Sequence, residues 1–271
     1  MKQLAAWQAP FYSFWSKSFY ADVAKNWRGL AYGYLFALIC FTWIFIAIRK
    51  QLDMNYLAEH DFYTLADQMP KVTIEKGVLS IDKPSPYTIT NRNDVPVITF
   101  DTSEKPIDLK EIPGNFLVTK NSVLYKSPVQ HNWSKDQEDQ KLDLSTIDQP
   151  VIITKETARQ FISDFCRAFG LVVFMLAVPI AFIFCAIQTL LYAVIGLLIT
   201  RIYKVDLSYG TLIRLSTVAL TPVLLIDSII KVRSIDFELW PIVALFISIG
   251  YLAFAISANV NQNNKPELSN Y

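Results

Sequence analysis

Two histidines, three cysteines and a few acids in unusual settings are all that this sequence offers to chemistry. His60 and His131 stand 71 residues apart with no Cys beside either and no H-E-x-x-H frame, so a zinc or general-base site on them would need distant convergence. Cys40 and Cys185 fall in apolar stretches and Cys166 at the edge of one, which leaves the polar segment between them without a pair to join and marks the three as small apolar packers. No GxxxxGK[ST], G-x-G-x-x-G or G-x-S-x-G run occurs, so nucleotide binding and serine hydrolysis lack their usual cue. The expectation is a protein that is not an enzyme and carries no metal and no cofactor. Asn132-Trp133-Ser134 fits a glycosylation sequon that bacteria ordinarily leave unused.

Four polar positions remain as candidates. Asp101, directly after the apolar run VPVITF, and Thr102 could form a polar binding spot, or Asp101 could cap a turn, as Asp does routinely. Asp227 follows PVLLI inside an apolar segment, and an ionisable group in that setting is a functional candidate by default. Lys231 lies four residues on, at the spacing of a helical ion pair, which is the structural alternative. Gln188 and Thr189, in another apolar segment, could partner Asp227 or hold neighbouring helices.

The elements that must position these residues are mostly membrane-type. The chain of 271 residues is 52% hydrophobic, 14% aromatic and only 18% charged, with mean hydropathy +0.29, values that point away from a soluble protein. Its net charge of +1 gives no field to gather nucleic acid. Residues 29–48 carry no charge over 20 positions, enough to cross ~30 Å of hydrocarbon as a helix. Residues 168–200 are charge-free over 33, too long for one upright span and too short for two, so a single tilted or bent helix is expected, with Pro179 the site of bending. A third apolar run lies between Arg214 and Lys231 and a fourth from Leu239 to about Ala258. Eight basic residues (Lys2, Lys17, Lys25, Arg28, Arg201, Lys204, Arg214, Lys265) flank one side of these four spans and five (Arg49, Lys50, Arg167, Lys231, Arg233) the other. Both termini are therefore expected in the cytoplasm, the first span being a retained anchor rather than a cleaved signal. Before it, Phe11, Phe14, Trp15, Ser18, Phe19 and Val23 would share one helical face, the pattern of an interfacial helix on the inner leaflet, with packing against the bundle as the alternative.

The polar segment is acidic: 18 of the 24 acidic and 12 of the 25 basic residues lie between Gln51 and Asp164, net −6 against +7 elsewhere. With no Pro or Gly from Asp53 to Met69, the first span can continue outward as a helix until Pro70 ends it. Eight of the 13 prolines then fall between Pro70 and Pro150, among short β-branched runs at 72–75, 78–81, 87–90, 95–100, 116–119, 123–126 and 151–154. That alternation predicts a small antiparallel β domain. VTIEKGVLSID and FLVTKNSVLYK read as two hairpins 44 residues apart, similar either by repetition or because short hairpins look alike, and SKDQEDQK, 134–141, as a solvated loop. Thr154 would cap a helix running without a break into the second span.

The expected fold is thus an α-helical membrane protein with four transmembrane helices and an inserted small antiparallel β extracytoplasmic domain. Residues 1–28 would form the interfacial helix, 29–50 the first transmembrane helix, 51–165 the outer domain (its β module at about 70–154 on helical stalks), 166–260 the other three helices and 261–271 a cytoplasmic tail.

The stretches FYSFWSKSFYADVAKNWRG, VTIEKGVLSIDKPSPYTI and PVITFDT, in this order around one span and before three more, resemble the bacterial integral-membrane family known as domain of unknown function 1189. YGTLIRLSTVALTPVLL is similar, more faintly, to the Yip/Yif group of multispanning membrane proteins. The first resemblance implies a bacterial membrane protein without an established activity, one member being linked by name to maltodextrin utilisation, and it transfers no catalytic motif. The functional expectation is a non-enzymatic protein of the bacterial inner membrane, an accessory, scaffold or sensor working through its outer β domain. Its expected partners are the lipid bilayer, an envelope or transporter protein and further copies of itself, with no nucleic acid. The alternative is a small transporter or channel component, oligomeric, with Asp227 as a coupling residue.

Overall fold

The computed structural model describes residues 6–109, 111–126, 140–147 and 149–260, and the chain divides into two compact units, Met1–Lys50 with Gly170–Tyr271, and Gln51–Phe169. His131, the sequon at 132–134, most of the expected loop and the tail at 261–271 lie outside the described residues. A 3-10 turn, Ala6–Gln8, leads into α1 (Ala9–Tyr12) and α2 (Lys17–Asn26). Helix α3 (Tyr32–Leu57) passes through a π-helical turn, Ala58–Phe62, into α4 (Tyr63–Asp67). Strands β1 (Val72–Glu75), β2 (Val78–Ile81), β3 (Tyr87–Thr90), β4 (Pro96–Asp101), β5 (Phe116–Thr119), β6 (Ser122–Tyr125), β7 (Gln140–Asp143) and β8 (Val151–Ile153) follow. The chain then forms α5 (Lys155–Tyr203), α6 (Tyr209–Ala219), α7 (Thr221–Val232) and α8 (Trp240–Ser257).

Four helical stretches are long and apolar enough to cross a membrane: Tyr32–Asp67, Lys155–Tyr203, Tyr209–Val232 and Trp240–Ser257. They coincide with the four apolar runs of the sequence. The first starts three residues later than the absence of charge implied, because Gly29 (φ 68°) and Ala31 (φ 59°) are left-handed and no helix can run through them. The second is one helix of 49 residues, about 74 Å at 1.5 Å per residue, with Pro179 inside it. Thr154 caps it as expected, and reciprocally: the Thr157 N–H donates to Thr154 Oγ1 (3.3 Å) and the Thr154 N–H to Thr157 Oγ1 (2.7 Å). The third is two helices meeting at Leu220, where Pro222 sits in the first turn of α7 and loses no intrahelical bond. It begins before Arg214, capped by Ser208, so Arg214 is inside α6 rather than at its edge.

The N-terminal segment departs most from its sequence pattern. A single amphipathic helix was the expectation; Ser16 instead turns extended and its Oγ accepts the Phe19 N–H (3.2 Å), ending one helix and starting another. Ser13 is held by the Tyr20 hydroxyl, which donates to its carbonyl (2.7 Å). The shared face is broken accordingly. Phe19, Tyr20 and Val23 are fully buried with Leu212, Leu215, Leu252 and Ile256 in the main helical core, whereas Phe11 and Trp15 remain 65% and 66% exposed. α2 therefore packs on the bundle, and only the residues before it keep an open apolar face. Arg214 helps to fix this packing, its Nη2 donating to Ala24 O at the end of α2 (3.4 Å) and to Thr211 Oγ1 (3.1 Å).

In Gln51–Phe169 the strands form two sheets, β2-β1-β8 and β3-β4-β5-β6-β7. All seven expected strands are present within a residue or so. β7 was missed, its Gln140 and Lys141 having been assigned to the polar loop; it pairs with β6 from Ser122↔Asp143 to Tyr125↔Gln140, and a polar strand on a sheet edge has no apolar alternation to betray it. The pairing is antiparallel except between β4 and β5, which are parallel and joined by a crossover through residues 102–115. The two hairpins, β1–β2 and β5–β6, lie in different sheets and meet where the Leu79 N–H donates to Lys120 O (2.7 Å). At the first turn Lys76 (φ 51°) and Gly77 (φ 76°) are both left-handed, and a Cβ on Gly77 would lie 2.7 Å from Ser145 Cα, so only glycine fits. Ile74, Leu79, Ile89, Phe100, Val118 and Leu144 form the core of this unit.

Candidate functional site

Asp101 ends β4 with its side chain almost wholly withdrawn, the residue being 2% exposed. Its Oδ1 accepts from Ser85 Oγ (3.0 Å) and the Ser103 N–H (3.0 Å), its Oδ2 from the Ile107 N–H (2.9 Å), and the Thr102 N–H donates to Ser85 Oγ (2.9 Å). Burial alone would raise the carboxyl pKa; the Ile107 and Ser103 amides, with the serine hydroxyls, outweigh it and hold the group below the ordinary aspartate range. Asp101 therefore organises the crossover, under which Leu109, Ile112 and Leu117 make a second small core. These are the bonds of the turn-capping reading, and neither Asp101 nor Thr102 lines the clefts described below.

Asp227 is likewise engaged. Its Oδ2 is 2.7 Å from Lys231 Nζ, one helical turn on, and its Oδ1 accepts from Trp240 Nε1 (2.9 Å). The Lys231 ammonium stands 5.7 Å from the centre of the Trp43 ring, so three helices meet at this ion pair. Gln188 is not brought to it; its amide donates to the Tyr192 hydroxyl on its own helix (2.9 Å). Thr189 bonds across to the Tyr32 hydroxyl (3.2 Å), the helix-holding role rather than the partner role. Cys40, Cys166 and Cys185 are free thiols, and among the described residues no three of His, Cys, Asp and Glu gather as metal ligands.

The open surfaces lie elsewhere. In Gln51–Phe169 an apolar groove of about 310 Å³ runs between α4, the β3–β4 pair and the first turns of α5, lined by Phe62, Leu65, Met69, Ile89, Ile98 and Phe161. Phe161 is 72% exposed, an unusual state for a phenylalanine beside a well-packed sheet. A second cleft of about 390 Å³, lined by Gln51, Asn55, Glu59, Tyr63, Ser163 and Arg167, opens at the π-helical turn. Such a turn adds one residue to the helical repeat and often marks a functional position. The helix is clamped beyond it. Asp67 Oδ1 meets Arg159 Nη1 (2.7 Å) and Lys155 Nζ (3.3 Å), the Arg159 guanidinium lies over the Tyr63 ring at 5.1 Å, and Arg92 Nη2 donates to Glu59 O (2.9 Å).

The family described as "Protein of unknown function (DUF1189)" matches residues 7–256, which takes in both units. The chain belongs to the DUF1189 family. No curated protein and no solved structure matches it. In this DUF1189 protein the polar residues singled out by type are engaged in structure, and the surfaces with room for another molecule in Gln51–Phe169 include two clefts that the sequence did not announce. Phe161 and Phe165 of TARQFISDFCR, four apart on one helix face of an otherwise polar segment, are a signal that could have found the groove, which they line with Ala158 and Ile162.

Proposed function

We propose that this DUF1189 protein is a non-enzymatic component of the bacterial cytoplasmic membrane, with both termini cytoplasmic and Gln51–Phe169 outside. It acts as an accessory, scaffold or sensor by binding an envelope or transporter protein through that unit. The observation that carries the reading is the apolar groove beside the sheets, with Phe161 and Phe165 standing exposed at its rim on an otherwise acidic segment. Isolated apolar rings of this kind, rimmed by polar residues, are what interaction surfaces present. Transport through Asp227 has less support, because a carboxylate already paired with Lys231 and Trp240 is poorly suited to picking up and releasing an ion.

The test combines capture with function. A photo-crosslinking side chain at Phe161, illuminated in intact cells, should trap one partner, and Phe161→Asp with Phe165→Asp should abolish both capture and complementation while the chain stays in the membrane fraction. Unchanged complementation by the double variant would refute the groove as the working surface. Capture of a second copy of the chain would assign it to self-association.

A further inference from the structure

An open groove of the helical unit lies at its N-terminal segment. About 960 Å³ of open groove is lined by Trp7, Phe11, Phe14 and Trp15 of the N-terminal segment, by Tyr34, Ala37 and Phe41 of α3 and by Leu225 of α7. The volume is at the top of the roughly 300–1,000 Å³ range of small-molecule sites. The groove exists because α3 is small where the aromatic segment passes it. A Cβ added at Gly33 would meet nothing within 4 Å, and Ala37 follows one turn later. From Gly33 to Phe41 it follows about 12 Å of helix axis.

Its lining favours apolar ligands. None of the described lining residues is charged, and the Tyr34 hydroxyl is already bonded to Thr221 Oγ1 (2.8 Å). An apolar, aromatic-lined groove that runs along a helix of membrane-crossing length fits an acyl chain. Lys17 follows the lining segment two residues beyond Trp15 and is exposed, its ammonium 5.6 Å from the centre of the Phe254 ring; Lys25 and Arg28, farther along the chain, are exposed too, while Asp22, the acid among them, is buried and accepts from Asn26 Nδ2 (2.6 Å). Cations beside an apolar slot complement a phosphate attached to a hydrocarbon chain.

We infer that the groove between residues 7–15 and α3 binds one acyl chain of an anionic phospholipid, with Lys17 toward its headgroup. The N-terminal segment is then a lipid-reading element whose seat on α3 depends on the bound chain. This rests on the membrane placement proposed above.

The full chain, reconstituted in bilayer nanodiscs of phosphatidylcholine, is illuminated with a small fraction of either phosphatidylglycerol or phosphatidylcholine carrying a photoreactive acyl chain, and adducts are mapped by peptide mass spectrometry. The expected result is labelling of residues 7–15 and 33–41 at least fivefold above that of Ile180, Phe184 and Leu191, exposed residues of α5 that any bilayer lipid would touch. Phosphatidylglycerol should label the groove at least threefold more than phosphatidylcholine, and Lys17→Glu should bring that ratio toward one. Gly33→Leu or Ala37→Phe, both at exposed positions, should cut groove labelling at least fivefold and leave α5 labelling unchanged. Labelling no stronger in the groove than on α5, or indifferent to both filling substitutions, overturns the inference and leaves the membrane placement standing. Cross-linking between Phe11→Cys side chains of two copies, lost on Gly33→Leu, also overturns it, in favour of a second copy as occupant. Release of the chain from native membranes by alkaline carbonate, with no labelling of α5, refutes the placement itself.

Discussion

Replacing Asp101 with Ala removes an acceptor on which three donors converge. Two of them, the Ser103 and Ile107 amides, have no free choice of another partner while the crossover keeps its course, since the residue they point at is 2% exposed. Hydrogen bonds to a charged group contribute about 1.5–3 kcal/mol each, and stranding a buried donor costs about 1–3 kcal/mol. The contributions overlap, and water can enter the space left by the carboxylate, so a local cost of about 3–5 kcal/mol is expected rather than their sum. At about 1.4 kcal/mol per tenfold change that is a fall of roughly 100- to 4,000-fold in the protection of those amides. Hydrogen–deuterium exchange on the full chain in detergent reads it directly at residues 103–107, with the β1–β2 hairpin as the internal control. The sign of the pH dependence is set by the lowered pKa. The carboxylate's stabilisation is complete above the unfolded value of about 3.9 and is lost as pH falls through the lower folded value. Protection at 103 and 107 in the Ala variant within a factor of three of wild type would refute the reasoning. Preserved protection with lost partner capture would return Asp101 to the list of binding residues.

Asp227→Asn should leave localisation and complementation intact, because the amide oxygen still accepts from Trp240 and a half-exposed ion pair is worth about 0–1 kcal/mol; loss of function at normal abundance would promote ion-coupled transport. Gly77→Ala, forced into a left-handed conformation against Ser145, should destabilise the sheet unit by about 1–3 kcal/mol, read as a lower apparent melting temperature of the full chain, and an unchanged value would show that the turn can relax. A cysteine placed at the exposed Glu104 should react with a membrane-impermeant maleimide in intact cells, and reaction only after permeabilisation would invert the proposed orientation.

What could be read from the sequence divides along the length scale of the signal. The four long helices and seven of the eight strands follow from apolar runs and proline punctuation, both of which act within a few residues. Thr154 and Pro70 were recognisable as helix ends for the same reason. Four features depended on something longer in range or weaker in pattern. The parallel β4/β5 seam is a choice of partner, not of conformation, so the strands themselves look the same either way. The π-helical turn at Ala58–Phe62 carries no residue that forbids an ordinary α-helix. β7 is polar, and an edge strand needs no apolar face. The N-terminal segment misled because its hydrophobic spacing is helical throughout, yet a single side-chain oxygen at Ser16 competes with the backbone and divides it.

The fate of the candidate site residues follows from the same physics. A polar group in an apolar environment is stable only when bonded, so in a well-folded chain Asp101, Thr189, Arg214 and Asp227 are the groups for which the surroundings most need to supply partners. Here they do so for most of them: amides for Asp101, Tyr32 for Thr189, the end of α2 for Arg214 Nη2 though nothing for its buried Nε, and Lys231 and Trp240 for Asp227. Searching a membrane-type sequence for rare polar residues therefore finds its joints. Apolar side chains exposed on both units give no such alarm, since hydrophobic residues are common throughout this composition and their spacing alone does not tell buried from open. Only the fold separates Phe19, inside the bundle, from Phe11 eight positions earlier, on the open groove. For this chain the productive variants are consequently those that fill or charge its apolar clefts, Gly33→Leu in one unit and Phe161→Asp in the other, rather than those that neutralise the engaged acids Asp101 and Asp227.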